Sequence, residues 1–257
     1  MHTTIGFNYT TAAAFVAQWL NIPAIPDPHK KTEGNFVYID DWNKIIGFWA
    51  VPGTDAEQLR LSSPTIRRVN PYYITKFEAA VLHAGVFEVN AFWPNIALPL
   101  QLGEGLEMEV YVAAITEELH GFVFLASVVP EPVRGNIHTI RFSCEPARSV
   151  HAWSFSEITL IDVLPVGSYD IVGARLESAT GLCFRLVPVG GIHRPGGICV
   201  KDFTNGALVD NDPDLQRYGG LGVWCSFEHG LVPGIEMVAS ADAVKEEIFG
   251  FLDIIPK

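Results

Sequence analysis

Positive charge is scarce in this sequence: 17 Lys and Arg stand against 29 Asp and Glu, a formal net charge of −12. Such a surface repels phosphate, and no basic run exceeds the pairs Lys30-Lys31 and Arg67-Arg68. Direct, sequence-specific nucleic-acid binding is therefore not expected. No stretch approaches the roughly 20 uninterrupted apolar residues of a membrane span. The N-terminal MHTTIGFNYT also lacks a basic flank followed by an apolar signal core, so a soluble chain made in the cytoplasm is expected. In that compartment the sequon Asn8-Tyr9-Thr10 has no use.

Clustered metal ligands are lacking too. Cys144, Cys183, Cys199 and Cys225 form no CxxC pair, which argues against structural zinc and a disulfide-dense module and leaves buried free thiols as the expectation. The eight histidines include no H-x-H or H-x-x-x-H pair. His193, in GGIHRPGG, is the best single ligand candidate, and a loop histidine is the blander reading. Asp210, Asp212 and Asp214 alternate as calcium ligands can, but Leu215 and Leu221 stand where an EF-hand needs Gly and Glu. A solvated acidic loop is the expectation there. Glu117 and Glu118 would face opposite sides of a strand and make no catalytic pair. No nucleophile elbow, Walker loop or dinucleotide fingerprint occurs, so no catalytic residue, cofactor or metal is assigned.

What the chain has is apolar residues, 49% of the total, broken by frequent turns. In EMEVYVAAI, Met108, Val110, Val112 and Ala114 alternate with Glu107, Glu109 and Tyr111, which is a half-buried strand. In LCFRLVPV, Leu182, Phe184 and Leu186 would be core, with Arg185 facing outward or toward another subunit. Pro52-Gly53, Gly103 to Gly105, Pro165 to Gly167, Gly190-Gly191, Pro195 to Gly197, Gly219-Gly220 and Pro233-Gly234 punctuate such runs and predict antiparallel sheets packed as sandwiches or jelly rolls. Residues 130–146 read as a connector holding one strand; in DAVKEEIFGFLDIIPK, Val244 and Ile248 suit a helix while Ile248, Gly250 and Leu252 suit a strand, and a closing strand is the favoured expectation. Only the start breaks the pattern. Ala12, Phe15, Val16, Trp19 and Leu20 recur at helical spacing after Thr10 or Thr11, and prolines at 23, 26 and 28 follow. Residues 1–33 are thus expected to form an arm with a short helix. Phe15, Val16, Trp19 and Leu20 are candidate assembly contacts, because so short a helix must dock on something.

The chain also echoes itself. Val51–Thr65 and Val166–Thr180 agree at Val51/Val166, Asp55/Asp170, Arg60/Arg175, Leu61/Leu176, Ser63/Ser178 and Thr65/Thr180, at an offset of 166 − 51 = 115. GLEM at Gly105 returns as GIEM at Gly234, at 234 − 105 = 129. Two β units are expected, 34–135 and 136–257, with Arg60 and Arg175 at equivalent strand positions; a single large β domain with a chance echo is the alternative.

The segment LPVGSYDIVGARLESATGLCFRLVPVGGIHRPGGICV, followed by DPDLQRYGGLGVWCSFEHGLVPGIEMVAS, resembles double jelly-roll major capsid proteins of tailless icosahedral viruses and bacteriophages. The resemblance lies in the Pro-x-Gly turn before Tyr169, the alternation through Arg185, the Arg194-Pro195-Gly196-Gly197 turn, and Arg217 to Gly220 before Trp224. It covers about residues 158 to 241. It implies an all-β chain of two tandem jelly-roll barrels and a structural, non-enzymatic role. It further implies a homotrimer of pseudo-hexagonal outline that tiles a virion shell beside other capsomers. Penton or spike proteins, and an internal membrane beneath the shell, are the further partners it allows. The competing expectations are a bicupin-like metal-dependent or carbohydrate-acting enzyme, or a minor virion or carbohydrate-binding sandwich protein.

Overall fold

The computed structural model describes residues 1–10, 18–51, 56–67, 72–76, 97–112, 118–200, 214–242, 244–245 and 247–257. Nearly all regular structure among them is β. The first half holds β1 (His2–Thr10), β2 (Gln18–Ile22), β3 (Thr32–Glu33), β4 (Phe36–Tyr38), β5 (Lys44–Val51), β6 (Ala56–Ser62), β7 (Tyr72–Lys76), β8 (Leu98–Pro99), β9 (Gly105–Val112) and β10 (Glu118–Ala126). A single helical turn, α1 (Pro64–Arg67), follows β6. The second half holds β11 (His138–Cys144), β12 (Ser154–Ser156), β13 (Ile158–Leu160), β14 (Ser168–Glu177), β15 (Gly181–Val187), β16 (Gly196–Ile198), β17 (Cys225–Glu228), β18 (Gly234–Ala239) and β19 (Ile248–Pro256).

The described residues of the N-terminal segment do not support a helical arm. His2 to Thr10 is rich in Thr and aromatic residues, which favour strands, and pairs along its whole length with β10. Trp19 and Leu20 lie in β2, against Tyr111 and Val110 of β9. A helix would put them on one face. In the strand they part: Leu20 packs on the first core, while Trp19 lies under the Arg60 guanidinium on the other side. Ala12, Phe15 and Val16 fall outside the described residues.

Strand order repeats between the halves. The second half forms the sheets β13-β11-β19-β14-β17 and β12-β18-β15-β16. If β13 is set aside as an edge strand on β11, its eight strands pair first with last, second with seventh, third with sixth and fourth with fifth. The first half does the same through β1:β10, β2:β9, β5:β8 and β6:β7, with the β3-β4 hairpin as its extra edge. All these pairs are antiparallel.

The irregularities coincide as well. On the third strand, the residue before a glycine is bulged out in each half: Ile46 before Gly47, which faces Phe124, and Val172 before Gly173, which faces Asp253. On the fourth strand the bulges are Glu57 and Leu182. This register makes Arg60 of β6 the counterpart of Arg185 in β15. Arg175 lies in β14 and corresponds to Trp49 in β5. The expected Arg60/Arg175 equivalence is therefore wrong, because Leu61 and Leu176, both buried, occupy different strands of their units.

Alternation places the cores where expected. Leu106, Met108 and Val110 face the first core, with Ile5, Phe7, Ile45 and Val123. Leu182, Phe184 and Leu186 face the second, with Phe142, Ile171 and Trp224. The second cluster also takes in Ile46, Trp49, Phe122 and Phe124 from the outer face of the first half, so the halves meet through an apolar joint. The connector strand and the closing strand are β11 and β19, and they pair with each other.

Candidate assembly interface

Arg185 stands at the centre of that joint. Its side chain is 0% exposed, on the face of β15 opposite Phe184 and Leu186. Nε donates to Glu236 Oε2 of β18 at 2.6 Å, and Nη1 donates to the Thr4 carbonyl of β1 at 3.1 Å and to Asp27. The guanidinium lies 4.1 Å from the ring centre of Trp153, just before β12. Trp153 in turn packs edge-on to Phe122 and against Gly6, where a Cβ would come within 3.2 Å of the indole. Burying this cation is tolerable only because two carboxylates, a carbonyl and an aromatic face surround it. Arg185 therefore faces neither solvent nor another subunit, but the first half of its own chain.

Around it, polar contacts tie the two halves together. The Thr4 amide donates to the Arg194 carbonyl at 2.8 Å, and the Arg194 amide to Thr3 Oγ1 at 3.1 Å. His2 is fully buried edge-on to Trp224, its Nε2 2.9 Å from the Gly196 carbonyl oxygen. Burial drives its pKa down to about 3, and that of His120, across from Val150 and His151, to about 4. Asn8 is buried against Leu119 and His151, in no position to carry a glycan.

The same constellation recurs in the first half. Arg60 of β6 lies directly opposite Glu109 of β9, as Arg185 lies opposite Glu236. It is bidentate, Nε to Oε2 at 2.7 Å and Nη2 to Oε1 at 2.9 Å. Its guanidinium sits 4.0 Å from the Trp19 ring centre. Trp19 precedes by two residues Asn21, which pairs with Glu109; Trp153 precedes by two residues Phe155, which pairs with Glu236. Here the arginine side chain is 19% exposed.

Other sequence candidates do not converge. Among the described residues, no three His, Cys, Asp or Glu side chains are grouped to hold a metal ion. His193 Nε2 lies 3.1 Å from the Trp224 carbonyl, and its ring stacks on Trp42. Asp214 begins a 3-10 turn, and Asp210, Asp212 and Glu117 lie outside the described residues. All four cysteines are buried free thiols. Burial pushes Cys144 and Cys225 up to about 12, and Cys183 and Cys199 well above the ordinary thiol value. A groove of about 840 Å³ runs between β11, the Asp162–Tyr169 segment and the end of β19. A second, of about 790 Å³, lies beside Arg194 and the Val187–Ile192 turn.

The tryptophan–arginine–glutamate sets went unread in the sequence, although a signal was present. A lone arginine in LCFRLVPV and a lone glutamate in GIEMVAS, each inside an otherwise apolar strand, ask for one another. Comparison with family models, with curated proteins and with solved structures gives no match.

Proposed function

We propose that the chain is the shell-forming coat protein of an icosahedral virion: two jelly-roll barrels in tandem that trimerise into pseudo-hexagonal capsomers. The observation that carries this reading is the nested pairing of eight antiparallel strands, present twice with the same bulges. A ribbon that pairs first with last and fourth with fifth, then wraps into two facing sheets, is the jelly-roll plan. Two copies joined face to face give one chain two quasi-identical building blocks, which suits a subunit that fills six positions with three chains. Both barrels are filled with apolar side chains, Trp224, Phe184 and Phe142 among them, as a structural barrel requires and a bicupin with an interior metal site does not. No catalytic role is assigned. Partners are other copies of the chain, neighbouring capsomers, and penton or spike proteins at special positions. The chain is made in the host cytoplasm and ends in the virion.

The test is to express the chain, weigh it by mass photometry and image concentrated samples by negative-stain electron microscopy. Trimers and closed or sheet-like assemblies are expected. A monomer that retains stoichiometric transition metal after dialysis would instead favour the enzymatic barrel.

A further inference from the structure

Arg194 is a buried cation without a carboxylate. Arg60, Arg141 and Arg217 each present the same edge of the guanidinium, Nε with Nη2, to an acid: Glu109, Asp162 and Asp253 in turn. Arg194 is only 6% exposed, yet among the described residues its Nε meets no acceptor and its Nη2 meets only the His29 imidazole, donating to Nε2 at 2.5 Å. Nη1 is taken by the carbonyls of Gly191 and His193, at 2.7 and 3.1 Å. Asp27 and Glu236 lie close enough to favour the charge, but both are hydrogen-bonded to Arg185, and burial still pulls the Arg194 pKa down. A desolvated cation is costly unless an anion meets it, and the edge that grips an acid elsewhere in this chain holds an imidazole here.

Arg194 and His29 line the same groove, of about 790 Å³, which is large enough for a small organic ligand. Phe155, Val189 and Ile192 line it too and are exposed there, so its walls are apolar around a cationic end. His29 is an exposed residue, and its ring can leave Arg194 at little cost in packing. We propose that this groove binds a small aryl carboxylate, whose carboxylate replaces the His29 imidazole on the Nε–Nη2 edge of Arg194 while its ring packs against Phe155, Val189 and Ile192.

A carboxylate is planar and accepts two parallel hydrogen bonds, which is the match that Arg60 and Arg217 already make within the chain. An aromatic ring covers side chains that water otherwise wets, and Phe155 offers it a ring to pack on. One negative charge suits the groove better than two, because Glu157 is exposed on the same lining and repels a second. The site lies within one chain, so it stands whether or not copies of the chain assemble.

The experiment is isothermal titration of the full chain with benzoate, benzamide and inorganic phosphate. Benzoate is expected to bind at one site per chain, with benzamide and phosphate each about tenfold weaker or more. Arg194→Gln should weaken benzoate about tenfold or more, and Ile192→Asp should weaken it from the apolar wall. His29→Ala should tighten it about threefold, since one hydrogen bond no longer has to be displaced. Melting temperatures check the fold; if Arg194→Gln does not fold, because Nη1 holds the turn, the benzamide comparison and the His29 and Ile192 variants decide. Benzamide or phosphate bound as tightly as benzoate overturns the choice of a carboxylate on an apolar body. Benzoate affinity unchanged by Arg194→Gln or Ile192→Asp, or unchanged or lowered by His29→Ala, overturns the exchange at Arg194. No benzoate binding up to about 10 mM removes the site.

Discussion

Replacing Arg185 with alanine should be among the most damaging single substitutions in the protein. It removes the guanidinium that is ion-paired to both Asp27 and Glu236, whose side chains are 4% and 13% exposed, and leaves two carboxylates in the joint without that partner. Breaking a buried pair from one side costs about 3–5 kcal/mol, because the remaining charge stays desolvated and unpaired. A chain of this length loses about 2–4 °C of melting temperature per kcal/mol, so a fall of about 10 °C is expected. Calorimetry should also reveal a second transition, since the substitution strikes the contact between the units and not the core of either. Arg60→Ala, at a more exposed copy of the site, should cost only about 1–2 kcal/mol.

The control is to remove all three charges together. Arg185→Met with Asp27→Asn and Glu236→Gln keeps the side-chain oxygen at position 27 that accepts the His29 amide, and takes away the Arg185 cation together with both carboxylates it is paired to. Most of the lost stability should return. If Arg185→Ala costs less than about 1 kcal/mol in urea titrations, or if the neutral triple variant is no more stable than the single one, then unpaired charge is not what governs this joint.

Much of this architecture was legible in the residues. Period-two alternation gave β9, β15 and β19 because each buries one face against a unit's core and turns charge or solvent-tolerant residues the other way. It misled at Trp19 and Leu20, where a five-residue strand also satisfies a helical spacing; only pairing with β9 decides between them. The internal echo pointed toward a repeated strand order and misaligned it in detail. The ungapped echo of Val51–Thr65 with Val166–Thr180 sets the fourth strand of one unit on the third strand of the other. The GLEM and GIEM echo finds the right strand, two residues out of step with the bulges. True counterparts stand at 153 − 19 = 134 on the second strand, 185 − 60 = 125 on the fourth and 236 − 109 = 127 on the seventh, because the loops between strands differ in length. No single offset reveals them. What the two units share is hydrogen-bond register and one charged pair, which residue-by-residue identity does not display.

Acid should loosen the joint before the cores. His2 and His120 are buried neutral, with pKa values near 3 and 4 against 6.5 when unfolded, so the unfolded chain binds more protons between those limits and stability falls as pH drops below 6.5. At pH 4.5 each should cost about 2–3 kcal/mol, and urea titrations from pH 7 to 4.5 would show it; a flat profile over that range contradicts the burial of these imidazoles. Gly173→Ala should cost about 1–3 kcal/mol, since its Cβ would stand 2.9 Å from the Arg217 Cα and the Gln216 carbonyl and 2.7 Å from the Asp253 carboxylate that Arg217 holds. The native protein should show no thiol reactive toward an aromatic disulfide at pH 8, and four in denaturant; fast reaction of even one native thiol would contradict the packing of the second core. Removal of residues 1–33, finally, should not release a dispensable arm. It takes away β1, which is hydrogen-bonded to β10 over nine residue pairs, and β2, which pairs with β9, leaving both sheets of the first unit with a bare edge. It also removes the Thr4 carbonyl and Asp27 from Arg185, exposing in the second unit the charge that the joint was built to hold. The truncated chain should be insoluble or molten by near-ultraviolet circular dichroism, and a soluble, cooperatively melting product would show that the first unit folds without its outer strands.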